Sequence, residues 1–204
     1  MSHCALAALA AVLAGAVAQP VSEQTSTVVD PVGDTIAWHP ITPAFQDMVL
    51  GQMTKTASGD FELLMEMAGP VPVNPTLPPQ GQSEIWWAWT FNLDPTAFPR
   101  GYPLSPGGAS YLEFIVYVSW DGTEFAGTAI DRRPLLTGGE AIITPVPFTF
   151  SADRRIVEAF LDFALIGEVP AGFIWSFNTV DWAGPVGSHA FFVPDLGTST
   201  VFNP

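Results

Sequence analysis

Proline and glycine interrupt this chain so often that long helices are excluded, and what lies between the interruptions is strand-like. The sequence carries 20 Pro and 18 Gly, and both residue types end helices and mark turns. Between the breaks lie short runs of aromatic and β-branched side chains, which suit a pleated, half-buried surface. Strands are expected near Met48–Lys55, Asp60–Ala68, Glu84–Leu93, Ser110–Trp120, Glu124–Asp131, Ala141–Phe150, Arg155–Phe163, Gly172–Thr179 and His189–Val193. The stretch Leu161–Gly167 could instead close with a helical turn. Many short strands separated by turns predict an all-β fold, a two-sheet antiparallel β-sandwich of jelly-roll or immunoglobulin-like type. The proline-rich stretch Gly69–Gln82 reads as a long loop within one domain, because the sequence on either side is too short to fold alone.

The N-terminus reads as an export signal. Met1 to Ala18 is a run of Ala, Leu, Val and Gly ending Ala16-Val17-Ala18, with small residues where signal cleavage needs them. It departs from the usual pattern in having no Lys or Arg, only His3. The run is short and Ala-rich for a transmembrane span, and no later segment reaches that length. The expected organisation is a signal peptide over 1–18, a lead segment over 19–29 and a single sandwich domain over 30–204. The mature protein would then be secreted, extracellular or periplasmic, with no integral membrane span. It would also have no cysteine, since the only one is Cys4. Stability must therefore come from core burial rather than disulfides.

Charge narrows the partners. Twenty acidic residues against six basic ones give a net charge of −14. Nucleic acid and anionic membrane surfaces are disfavoured, because nothing forms a basic patch able to neutralise phosphates. Arg132-Arg133 and Arg154-Arg155 each follow an Asp at a turn and are expected to be solvated.

Period-two alternation assigns faces to the two central strands. In Glu84–Leu93 the core face carries Ile85, Trp87, Trp89, Phe91 and Leu93; in Ser110–Trp120 it carries Leu112, Phe114, Val116, Val118 and Trp120. If these strands are neighbours, their opposite faces together present Trp86, Tyr111 and Tyr117 among Thr90, Asn92, Glu113 and Ser119. Aromatic faces pack on the C–H faces of sugar rings, and carboxylates and amides take hydroxyls in hydrogen bonds. Trp86, Thr90, Asn92, Tyr111, Glu113 and Tyr117 are therefore the candidate carbohydrate-binding residues. The competing expectation is that a loop covers this face and makes the aromatics a second small core.

A second constellation is acidic. Asp30-Pro31-Val32-Gly33-Asp34 supplies two carboxylates and turn carbonyls, Asp47 follows where the first strand should start, and Asp195 stands near the far terminus. Ca²⁺ takes six to eight hard oxygen ligands, and sandwich termini tend to lie close together. Asp30, Asp34, Asp47 and Asp195 are thus candidate calcium ligands, with a plain Asx-turn as the alternative.

The order Asp30-x-x-Gly33-Asp34, Asp47, Trp89-x-Phe91-x-Leu93-Asp94, Tyr111-x-Glu113, Asp131-Arg132-Arg133, Leu165-Ile166-Gly167, Trp175 and Pro194-Asp195-Leu196-Gly197 resembles the DOMON and family 9 carbohydrate-binding-module superfamily. The resemblance spans most of the mature chain in short pieces. It implies a β-sandwich, often with structural calcium, that binds sugars or haem. For the haem-binding, electron-transfer alternative, Met65 and His189 are the candidate axial ligands, although Met among Phe and Leu at alternating positions is also ordinary core filling. A third alternative is a structural domain of the cell surface or matrix.

Enzyme chemistry finds little in the sequence. There is no G-x-S-x-G nucleophile elbow, and Ser188 and His189 are adjacent and so point to opposite faces of a strand. No spacing marks a catalytic pair of carboxylates among the many surface acids. Gly107-Gly108 and Gly138-Gly139 precede no helix that could hold a phosphate. A non-catalytic binding domain is the expectation.

Overall fold

The computed structural model describes residues 23–34, 42–77, 82–94, 102–103, 110–111, 113–167, 172–183, 190–196 and 200–202. The expected signal peptide, His39 and His189 lie outside them. The chain opens with an antiparallel meander of β1 (Gln24–Val29), β2 (Met48–Lys55) and β3 (Phe61–Met67). It crosses to a second sheet for β4 (Gln82–Asn92), then forms a small ribbon from β5 (Tyr102–Pro103) and β6 (Ser110–Tyr111). The second sheet continues with β7 (Phe114–Trp120), β8 (Phe125–Asp131) and, after a 3₁₀ turn at Arg133–Thr137, β9 (Ile142–Pro145). A hairpin of β10 (Phe148–Phe150) and β11 (Ile156–Leu161) returns to the first sheet. The helical turn α1 (Phe163–Ile166) leads to β12 (Phe173–Ala183), β13 (Ala190–Leu196) and β14 (Thr200–Phe202).

Sheet A has the order β1-β2-β3-β11-β10 and sheet B the order β13-β12-β4-β7-β8-β9, with β14 also pairing β12. Every ladder is antiparallel. This is the two-sheet sandwich expected from the turn spacing, with β4 and β7 adjacent as anticipated.

Alternation builds the core. Trp87, Trp89 and Phe91 of β4, Phe114, Val116 and Val118 of β7 and Trp175 and Phe177 of β12 are all buried against Phe61, Leu63, Met65 and Met67 of β3 and Val157 and Ala159 of β11. Burying such side chains stabilises by roughly 1.5–3 kcal/mol each. Gly51 of β2 fits this core by having no side chain, since a Cβ there would run into the Phe177 ring of the facing sheet.

Three local readings differ from expectation. Residues 24–29 are not a lead segment but β1, an edge strand of sheet A; its polar sequence QTSTVV buries only Val28, so it carries little core signal. Asp47 accordingly precedes the second strand rather than the first. The expected strand Ala141–Phe150 divides at Pro145-Val146-Pro147, where the chain changes sheets. The Val146 amide bonds to Gly127 of sheet B, and the Pro147 carbonyl accepts from Phe160 of sheet A. Proline has no N–H to extend either ladder. Ser110–Trp120 likewise divides into β6 and β7, with Glu113 at a bend just ahead of β7.

Arg155 is exposed as expected, but one arginine of each pair is engaged. Arg133 forks onto Asp131, with Nε to Oδ1 at 2.8 Å and a terminal nitrogen to Oδ2 at 2.7 Å, and also donates to the Ile166 carbonyl at 2.7 Å. It thereby ties α1 to the end of β8. Arg154, at φ 58° in the β10–β11 turn, lies 4.2 Å from the Phe150 ring centroid and donates to the Val71 carbonyl at 2.7 Å. A planar, permanently charged guanidinium makes both contacts possible.

Candidate functional site

The outer face of sheet B is organised by the same alternation that built the core. Reading across the sheet, Asn178 of β12, Ala88 of β4, Tyr117 of β7 and Thr128 of β8 stand in one row. Val180, Trp86 and Ser119 form the next, and Ser176, Thr90 and Ile115 a third. Trp86 and Tyr117 lie on diagonal positions and stack, with ring centroids 4.2 Å apart and planes 15° from parallel. Both are half-buried. The Trp86 indole N–H donates to Glu84 at 2.5 Å, which fixes the ring. The Tyr117 hydroxyl bonds Thr128, and burial holds its pKa above the ordinary value, with Glu84 adding to the rise and Arg132 opposing it. Asn178, in the Tyr117 row, has a buried side-chain oxygen without a hydrogen-bond partner.

Thr90, Asn92 and Glu113 of the predicted face are closed to solvent. Thr90 is buried and shares a hydroxyl hydrogen bond of 2.7 Å with Ser176. Asn92 and Glu113 are buried at the same end of the sheet. Glu113 accepts the Leu93 amide at 3.1 Å on one carboxylate oxygen, while the other is buried without a hydrogen-bond partner. Burial pushes its carboxyl above the ordinary carboxylate range. The Asp94 charge adds to this, and the backbone hydrogen bonds and the Arg133 charge work against it. Tyr111 pairs Tyr102 in the small ribbon, and its side chain lies outside the described ones. Of the six predicted ligand-binding residues, only Trp86 and Tyr117 form a described, accessible platform.

The predicted metal ligands partly come together. Asp47 reaches the Asp30–Asp34 turn, but both its oxygens accept the Gly33 amide, each at 3.1 Å. Asp30 is buried and Asp34 is exposed. Asp195 is placed opposite Thr179 in the β12–β13 ladder. Among the described residues no three His, Cys, Asp or Glu side chains form a group that could hold a metal ion. Of the haem candidates, Met65 is fully buried in the core and lines neither of the cavities below.

Two features were not anticipated. The segment 42–47 plugs one end of the sandwich. Gln46, buried there, donates to Asp181 at 2.5 Å, and its carbonyl accepts the Thr179 hydroxyl at 2.8 Å. The Phe45 carbonyl accepts the Trp87 indole N–H at 3.0 Å. Asp181 and Thr179 continue the core-facing alternation of β12, and polar residues at the end of an apolar set are the signal that could have revealed the plug. At the opposite end, a groove of about 530 Å³ opens between the β2–β3 turn, the β9–β10 crossing and the β11–α1 connection. Its wall includes Phe61, Val146, Leu161 and Leu165, with Asp60, Glu62 and Asp162. No alternation pattern points to it, because it is made by three turns distant in sequence.

No helix among the described residues is long and apolar enough to cross a membrane. Comparison with family models, with curated proteins and with solved structures gives no significant match to this chain.

Proposed function

We propose that this protein is an exported, non-catalytic binding domain that takes a carbohydrate on the outer face of sheet B. The Trp86–Tyr117 stack carries the reading. Two aromatic rings locked side by side on a sheet are rigid, so little conformational entropy is lost when a ligand docks. Each ring keeps one face turned away from the other, and the apolar C–H face of a pyranose packs on such a surface. Glu84, Asn178 and Thr128 border the pair and supply acceptors and a hydroxyl. Their closeness to the rings is what a sugar site needs, a few fixed polar groups around an apolar platform.

The reading is narrower than the sequence expectation, since Thr90, Asn92 and Glu113 are buried. Titration of tryptophan fluorescence with neutral oligosaccharides tests it. Saturable quenching that is lost in Trp86→Ala and in Tyr117→Ala, but kept in Glu62→Gln, is the expected result. Quenching that survives both aromatic substitutions removes the platform, and no response to any sugar favours a structural role. The calcium expectation is separable: an unchanged melting midpoint with EGTA removes it.

A further inference from the structure

We propose that the groove at the open end of the sandwich is a second binding site, for a small amphiphilic organic cation with an aliphatic body and an ammonium head. The groove is ligand-sized, since small-molecule sites run to roughly 300–1,000 Å³ and this one holds about 530 Å³. A smaller cavity of about 200 Å³ shares Thr144 and Leu165 with it, extending the apolar surface toward Phe114 and Ile142.

The lining decides the class of occupant. Phe61 and Leu161 are fully buried residues of β3 and β11, paired directly across the ladder, so the floor is rigid. Above this floor Pro145, Pro147, Phe160 and Leu165 keep apolar surface open to solvent, and removing such a surface from water favours an aliphatic body. The rim is acidic. Glu62 and Asp162 are exposed, and among the described residues no Lys, Arg or His lines the groove. Carboxylates beside a low-dielectric wall concentrate cations and repel anions. Asp162 spends one oxygen on the Ala164 amide at 2.8 Å, which fixes the carboxylate in place. The Thr56 and Ser58 hydroxyls at one side of the groove are already engaged, Thr56 with Ser58 at 2.8 Å and Ser58 with Asp60 at 2.8 Å. A carbohydrate therefore fits this groove poorly, and the site is independent of the aromatic platform.

The α1 wall is held by Arg133, which donates to the Ile166 and Leu165 carbonyls at 2.7 and 3.4 Å. The groove is thus a fixed feature of the fold rather than a gap between loose turns.

The test uses three probes of equal length, n-hexylammonium, n-hexanol and n-hexanoate, titrated into the protein while amide chemical shifts are followed. Hexylammonium is expected to saturate with shifts centred on Glu62, Leu161 and Leu165, and hexanoate to bind at least tenfold more weakly, with hexanol between. The Glu62→Gln/Asp162→Asn pair should weaken hexylammonium three- to tenfold and bring it to the level of hexanol. A control pair that removes the same charge elsewhere, Glu23→Gln/Glu140→Gln, should leave it unchanged. Leu165→Trp should block all three probes; should that variant fail to fold, the exposed carboxylate pair decides. Equal affinity for hexylammonium and hexanoate overturns the proposal. So does equal weakening by the control pair, which would mean that only the net negative charge attracts the cation.

Discussion

At the end of the sandwich where β2 begins and β3 finishes, Asp181 is fully buried and meets the Gln46 amide, with Thr179 and the 42–47 backbone closing around it. At the other end, where the β2–β3 turn lies, Glu62 and Asp162 stand in solvent beside an apolar trough. The two ends share a residue chemistry and a sheet framework, yet they use carboxylates oppositely. A carboxyl group out of water needs fixed donors, and so it organises the chain around itself. A carboxylate left in water needs none, and so it remains available to something that arrives.

The sharpest way to break that contrast is Gln46→Leu. It keeps the side-chain bulk but takes the donor from Asp181, and uncompensated burial of such a group costs about 3 kcal/mol. Glu62→Gln at the open end should stay within about 0.5 kcal/mol of the wild type, as exposed substitutions do. Urea denaturation of both variants measures the difference. Equal midpoints would mean that the plug is not closed and that the two ends are alike.

Gly51→Ala comes next. Midway between the two ends the sheets approach so closely that a methyl group at Gly51 meets the Phe177 ring, and overpacking of this kind costs about 1–3 kcal/mol. A fully stable Gly51→Ala protein would place the sheets farther apart and would open the core between plug and groove.

These sites differ in how far the sequence announces them. The core-facing sets of β4 and β7 are legible because alternation is a property of single strands, and Ile85, Trp87, Trp89, Phe91, Phe114, Val116 and Val118 lie where it puts them. The outer platform is legible in part: Trp86 and Tyr117 are named by alternation, but whether Thr90 and Glu113 on the same face are open depends on what covers them. Arg133 misleads, because a turn-flanking Arg reads as solvated while its guanidinium has five fixed donors and finds Asp131 and the Ile166 carbonyl. The plug and the groove are barely legible, since each is assembled from segments such as Gln46 and Asp181, or Asp60 and Leu165, that only the sheet pairing brings together.

Glu113 gives the smallest effect and the most pointed comparison, because it is buried like Asp181 and one of its oxygens accepts the Leu93 amide while the other has no hydrogen-bond partner. Its folded-state pKa is raised above the ordinary 4.5, chiefly by burial. The fold therefore favours the neutral acid. The stability that this preference contributes is fully present below about pH 4.5 and is lost as pH rises through the elevated value. Above that elevated value the wild type carries an ionised, poorly solvated carboxylate. Glu113→Gln keeps the shape and an acceptor for the Leu93 amide without that charge. It should be more stable than the wild type at pH 7, with the advantage shrinking as pH falls toward 4.5. Melting midpoints of the two proteins across that range read the effect directly. An advantage constant with pH would show that Glu113 does not titrate against burial, and a loss at every pH would show that its second oxygen is satisfied in solution.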